Sequence, residues 1–276
     1  MKRGLTLAVL LILVVAMVLF ASGCVNEQPS EGAEEGAGEE TESVEETEGV
    51  EETEGVEETE GIGAGEEYNP VINPDDFVET INNPYFPLTQ GTTFVYEGEN
   101  EEGEEIRNEV TVTDETKEVM GVTTVVVRDM EWEDDELIEE TLDWYAQDKD
   151  GNVWYFGEDS KEYEDGEVVS TAGSWEAGIG GAQPGILIEG TPQVGDVYRQ
   201  EYLEGEAEDM AEVVSLNESV SVPYGSYENC LQTKEWSPLE SDSEEYKYYA
   251  SGVGLLLEEE VGGGGERLEL VEITTE

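Results

Sequence analysis

From Thr92 onward the chain falls into short runs of β-branched and aromatic residues separated by turn residues, and no window carries a sustained helical stripe. That texture constrains the fold more than any other feature, because side chains that alternate with a period of two cannot share one face of a helix. The runs cover residues 92–98, 106–112, 119–132, 137–147, 153–157 and 161–170. Asp150-Gly151 and Asp165-Gly166 predict two-residue hairpin turns, in which both central residues need positive φ. Runs joined by tight turns pair antiparallel, so the reading is a mainly β domain built from meanders.

The second half echoes the first at an offset of 104 residues: Gly91 with Gly195, Gly121 with Gly225, Trp132 with Trp236, and Tyr145-Ala146 with Tyr249-Ala250. A second turn shorter by two residues then brings Val153 onto Leu255. These matches fall on turn glycines and aromatics, the positions a sheet constrains most, and they predict a duplicated unit, about 91–170 and 195–273. One unit alone would leave its apolar face wet, so the expectation is a two-sheet sandwich or a curved, barrel-like domain over residues 68–276. Residues 172–185, between the units, are too rich in Gly for an ordinary strand, and Trp175 there serves either as a lid on the core or as a stacking platform.

Ahead of the domain stands an export signal: Lys2 and Arg3, an apolar run over 5–20, and Ala21-Ser22-Gly23 before Cys24. The stretch resembles a lipoprotein signal peptide, with Ala21 where such signals usually carry Leu. That resemblance makes 1–23 the signal and Cys24 the lipid attachment site, which anchors the chain to the outer face of the cell membrane. Ala21 and Gly23 also suit ordinary secretory cleavage, and the apolar run suits an uncleaved anchor. All three readings place the remainder outside the cytoplasm. Residues 24–67 contain three copies of Val-Glu-Glu-Thr-Glu-Gly, whose period of six fits neither helix nor strand and whose Glu side chains repel, so a disordered acidic tether is expected.

The chain carries 71 acidic and 11 basic residues, a formal charge of −60. Residues 1–67 hold 18 of the acids and two of the bases, so residues 68–276 keep 53 acids against 9 bases, about −44. Such a surface repels nucleic acid, which is excluded as a partner, and suits a solubility coat in a salty medium. Histidine is absent. His-dependent nucleophilic catalysis and His-ligated zinc are thereby excluded, and no cofactor or metal is expected. Cys230 lies in a strand-like stretch and reads as a buried structural thiol with no disulfide partner. Asp148-Lys149-Asp150-Gly151-Asn152 has the oxygens of a calcium loop but lacks the downstream bidentate Glu and flanking helices, so a plain turn is preferred. With 53 acids, no carboxylate pair can be singled out, and no nucleophile elbow or phosphate loop occurs. No catalytic residue is assigned and no enzyme is expected. Asn217-Glu218-Ser219 is a candidate glycosylation acceptor in an exposed turn.

Three stretches, Asn83-Pro-Tyr-Phe-Pro-Leu-Thr-Gln-Gly-Thr-Thr-Phe-Val-Tyr-Glu-Gly98, Asp143-Trp-Tyr-Ala-Gln-Asp-Lys-Asp-Gly-Asn-Val-Trp-Tyr-Phe-Gly157 and Tyr248-Tyr-Ala-Ser-Gly-Val-Gly254, resemble a family of uncharacterised exported β-rich proteins and lipoproteins. The resemblance implies an envelope domain and brings no activity with it. Two roles remain open. One is a tethered binding module whose aromatic-lined interior holds a lipid, sugar or peptide, the ligand being a small molecule, a glycan or an envelope protein, with Trp144, Trp154, Trp175 and Trp236 as candidates. The other is a structural or protein-interaction lipoprotein with a filled interior.

Charge repulsion across the domain penalises the folded state more than the unfolded one. Raising potassium chloride from about 0.01 M to about 1 M shortens the Debye length from roughly 30 Å to 3 Å. The thermal midpoint should therefore rise with salt, with calcium giving no more than magnesium. A flat or falling midpoint would remove the salt-adapted coat.

Overall fold

The computed structural model describes residues 68–100, 103–240, 244–261 and 266–275. The export signal, Cys24 and the acidic tether lie outside the described residues. A 3-10 turn at Pro74–Asp76, capped by the Asn73 side chain, leads into β1 (Phe77–Val78). A meander of long strands follows: β2 (Thr92–Glu99), β3 (Glu105–Val119), β4 (Val122–Glu133), β5 (Glu136–Asp148) and β6 (Val153–Glu164). The short strands β7 (Glu167–Ser170), β8 (Trp175–Glu176) and β9 (Gln183–Ile188) all pair with β6. Beyond β10 (Val197–Arg199) and β11 (Glu201–Tyr202) runs a second meander: β12 (Met210–Val222), β13 (Gly225–Trp236), β14 (Glu244–Ala250), β15 (Gly254–Val261) and β16 (Arg267–Thr275).

These strands form one antiparallel sheet in the order β10-β12-β13-β14-β15-β16-β2-β3-β4-β5-β6-β9-β11. The two meanders join where the last strand pairs with the first long one, Leu270 opposite Tyr96. The two ends of the order, β10 and β11, are separated in sequence by Gln200 alone. A single segment thus bonds one edge of the sheet (Tyr198 opposite Ala211) and then the other (Glu201 opposite Pro184). A sheet whose opposite edges share one short segment has to curl, and the result is barrel-like closure that leaves neither edge as a long unpaired strand. Gly185 makes the contact close enough: a Cβ there would lie 2.3 Å from the Gln200 carbonyl carbon and oxygen.

The single curled sheet is the barrel-like alternative of the two expected, and no α-helix occurs among the described residues. Tyr145-Ala146 on β5 and Tyr249-Ala250 on β14 are all buried. Asp165-Gly166 forms the expected hairpin turn, φ 52° and 76°. Asp150-Gly151 does not. Only Gly151 has positive φ there, and the strands are joined by a four-residue loop over 149–152, because Asp148 folds its carboxylate onto the loop. Its Oδ1 accepts from the backbone N–H of Asp150 and Asn152, and its Oδ2 from the side chains of Asn152 and Trp154, all at 2.8–2.9 Å. Local donors therefore occupy the carboxylate that would begin a calcium loop. Met120-Gly121 and Asp134-Asp135 supply two further positive-φ turns. Strand β3 runs to Val119 and β6 runs through Gly157 to Glu164, well past the apolar runs that marked them, since pairing with neighbours carries the polar residues along. Asn217 is exposed but sits within β12, at a register shift, rather than in a turn between strands. Cys230 is fully buried and free, as expected.

Gly185→Ala should force backbone against backbone at the closure and lower stability by about 1–3 kcal/mol. Gly166→Ala has open space around it, so it bears only the conformational penalty of about 1 kcal/mol. Urea unfolding of the two variants ranks them. Equal losses would show that the Gly185–Gln200 contact contributes nothing to closure.

Candidate functional site

The buried face of the sheet is charged. Asp129 and Glu131 on β4, Asp143 on β5, Glu158 on β6, Glu201 on β11, Glu235 on β13 and Glu258 on β15 are all buried. Lys247 on β14 is the one buried Lys or Arg among the described residues. Its ammonium lies 2.8 Å from Glu245, 3.2 Å from Glu235 and 3.6 Å from Glu258. Burial opposes that charge, yet the three carboxylates together hold it well above the ordinary lysine value.

For the other carboxyls burial itself is the dominant influence, and it pushes Asp129, Glu131, Glu158, Glu201 and Glu258 well above the carboxylate range. Burial likewise pushes Asp143 up to about 7, with the Tyr155 hydroxyl opposing the shift and Glu139 adding to it. Asp209 is also raised by burial to about 7. Geometry agrees with protonation. The Tyr155 hydroxyl sits 2.7 Å from Asp143 Oδ1 and 3.0 Å from Glu158 Oε2, but it owns one hydrogen. One of the two carboxyls must carry a proton and donate it to the tyrosine oxygen for both contacts to be hydrogen bonds.

Asp129, Asp143 and Glu258 also line a cavity of about 40 Å³. Asn108 and Tyr145 share the polar part of its lining, and Phe86, Pro87, Leu88, Phe94, Leu255 and Leu268 supply apolar surface. The strands bring these groups together by simple register. Asn108 is paired with Tyr96 across β2 and β3, Val110 faces Asp129 across β3 and β4, and Val127 faces Asp143 across β4 and β5. The side-chain amide of Asn108 donates to Asp129 Oδ1, while the buried Oδ2 of Asp129 has no hydrogen-bond partner. The segment before β2 lies across this end of the sheet. Gln147 Oε1 accepts from the backbone N–H of Asn82 and Asn83 at 2.7 and 2.8 Å, and Gly252 N–H donates to Pro84 O at 2.6 Å. So fixed, Phe86 packs edge-on against Tyr145 with ring centroids 5.4 Å apart. Phe86, Pro87 and Leu255 are half-exposed and give the cavity its surface side.

None of the four candidate tryptophans lines this cavity. Trp144 is buried under the Lys117 ammonium, 3.0 Å from the ring centroid. Trp154 packs edge-on against Phe77 and donates to Asp148. Trp175 is buried edge-on against Tyr155 at 5.3 Å. Trp236 is half-buried beside Lys234. The cavity is instead made where the three family-like stretches meet. Phe86, Leu88, Phe94 and Tyr96 come from the first, Asp143 and Tyr145 from the second, and Gly254 from the third. A second, open groove of about 620 Å³ runs along Glu97, Glu99, Glu105, Arg107 and Trp132.

No family model and no curated protein matches the chain. Among solved structures it is similar to a candidate exported protein with a YmcC-like fold from Bacteroides fragilis, at 14% identity and a TM-score of 0.42, covering 69% of this chain and 99% of that one. It is also similar to a candidate lipoprotein from Parabacteroides distasonis, at 14% identity and a TM-score of 0.39, covering 69% and 98%.

A carboxyl whose pKa is higher folded than unfolded stabilises the fold in its protonated form. That stabilisation is complete below the unfolded value near 4 and is lost as pH rises through the folded value, about 7 for Asp143 and Asp209. Thermal midpoints should therefore fall between about pH 5 and pH 8. Asp143→Asn, which keeps the shape without the charge, should regain about 1–3 kcal/mol at pH 8 and little at pH 5. A midpoint that is flat or rising over that window would mean the interior carboxyls are ionised and compensated throughout.

Proposed function

We propose that this chain is a lipid-anchored, extracytoplasmic binding module without enzymatic activity, held at the outer face of the cell membrane through Cys24. The anchor reading rests on the basic start, the apolar run and the small residues before Cys24. The binding reading rests on one observation. The entry segment Phe86-Pro87-Leu88 and six strands drawn from both meanders converge on a single partly apolar cavity instead of packing it shut. A purely structural lipoprotein has no need of such a space, which forfeits packing contacts.

The size of the cavity limits what it receives. About 40 Å³ takes the end of a chain or a few waters, well short of the several hundred Å³ of a pocket that encloses a whole drug-sized molecule. The module therefore grips a terminus and leaves the rest of its ligand outside.

Two measurements test this. Metabolic labelling with a lipid precursor should mark the wild type and not Cys24→Ala, and equal labelling of both would remove the anchor. Native mass spectrometry of the full chain purified from its own host should show an adduct that Val127→Phe, which fills the cavity, abolishes. A chain without adduct, or an adduct indifferent to Val127→Phe, would leave the structural lipoprotein as the better account.

A further inference from the structure

Resting on that reading, we infer that the cavity takes the end of an aliphatic primary amine, with the ammonium among Asp129, Asp143 and Glu258 and the methylenes against Phe86, Leu88 and Phe94. Three observations carry this. The polar lining gathers three carboxyl groups, the Asn108 amide, one N–H of which goes to Asp129 Oδ1, and the Tyr96 and Tyr145 rings with their hydroxyls. The Oδ2 atom of Asp129, on a side chain only 7% exposed, is buried with no partner in this lining, an expensive arrangement unless a donor comes to it. The same cavity is otherwise apolar, so a ligand that satisfies both parts has a cationic or hydroxylic head on a hydrocarbon stem.

The charge balance selects the cation. Lys247, the nearest buried cation, is held by Glu235 and Glu245 and reaches only Glu258 in the lining, at 3.6 Å, so Asp129 and Asp143 face the cavity without an ion partner of their own. A metal ion is a poorer fit. Among the described residues no group of three or more Cys, Asp or Glu is arranged to hold one, and an ammonium asks only for three acceptors at ordinary hydrogen-bond distance. Glu139 adds to the negative field at both Asp129 and Asp143 and also favours a positive guest. An entering ammonium stabilises the ionised carboxylates, so binding displaces protons from Asp129 and Asp143.

Isothermal titration of the full chain with n-butylamine in about 0.3 M potassium chloride at pH 7, in two buffers of different ionisation enthalpy, reads both affinity and proton release. One saturable site with net proton release is expected. It should weaken at least tenfold in Asp129→Asn, whose thermal midpoint stays at or above that of the wild type, and persist in Glu115→Gln on the exposed β3 surface. Butan-1-ol separates the two layers of the argument. If the alcohol binds as tightly as the amine, the amine assignment falls and the binding module stands. If neither binds saturably, the amine assignment falls here, and the host-derived adduct decides the module independently. Weak, non-saturating heat equal in wild type, Asp129→Asn and Glu115→Gln would mean amine attracted only by the acidic coat, and it would overturn the site.

Discussion

A curled sheet has to turn every second side chain of its long strands inward, and in this domain the inward positions receive carboxyl groups. Among the described residues seven Asp and Glu side chains are buried against one Lys. A carboxylate moved from water into such an interior loses several kcal/mol of solvation, so the fold tolerates this set only by protonating most of it, by hydrogen-bonding it, or by pairing it. All three devices are present. Lys247 gathers Glu235, Glu245 and Glu258; Tyr155 bridges Asp143 and Glu158; and Thr233 donates to Glu235 at 2.7 Å. The protonation state of the interior is thus part of the folded structure, and pH acts on this domain from inside as well as on its coat.

The apolar part of the interior is arranged around that charged layer. Tyr145 stacks on Tyr155 at 4.9 Å, Phe86 and Trp175 meet the pair edge-on, and Tyr155 then turns its hydroxyl to the carboxyls. Tyrosine suits this boundary because one end of the ring is apolar and the other is a donor. Replacing Tyr155 by phenylalanine would preserve the packing and remove the hydroxyl that bridges Asp143 and Glu158.

Much of the architecture was legible in the sequence because its signals are local. Alternation marked the strands, Asp165-Gly166 marked a turn, and Tyr145-Ala146 and Tyr249-Ala250 were marked out and are buried. The cavity was not legible, since with 53 acids no carboxylate stands out by type. Parity was the usable signal. Trp144, Trp154 and Trp236 each stand one residue from a buried inward side chain, Tyr145, Tyr155 and Glu235, so the pleat places them on the opposite face. Counting by twos from Tyr145 reaches Asp143, and from Val127 it reaches Asp129 and Glu131. What parity cannot supply is closure. The change of partner at Gln200 and the close approach at Gly185 are long-range facts that no window of sequence contains.

Closure also explains where the cavity lies. Its lining draws Tyr96, Asn108, Asp129 and Asp143 from β2 to β5 and Glu258 and Leu268 from β15 and β16, so it straddles the junction at which the last strand pairs with the first long one. Neither meander alone could build it, because each contributes only part of the polar lining. At that junction the pleat of two separately twisted meanders has to match, and β2–β16 pairing carries a register shift at Leu270–Glu272 where it does so. Gly98 marks close approach at the same junction: a Cβ there would fall 2.0 Å from the Arg267 carbonyl oxygen, so the two strands come nearer than any residue with a side chain permits. The cavity lies beside this tight contact, with Leu268, the partner of Gly98, and Phe94 in its lining. The cavity follows from joining the two meanders by a sheet rather than by a packed interface.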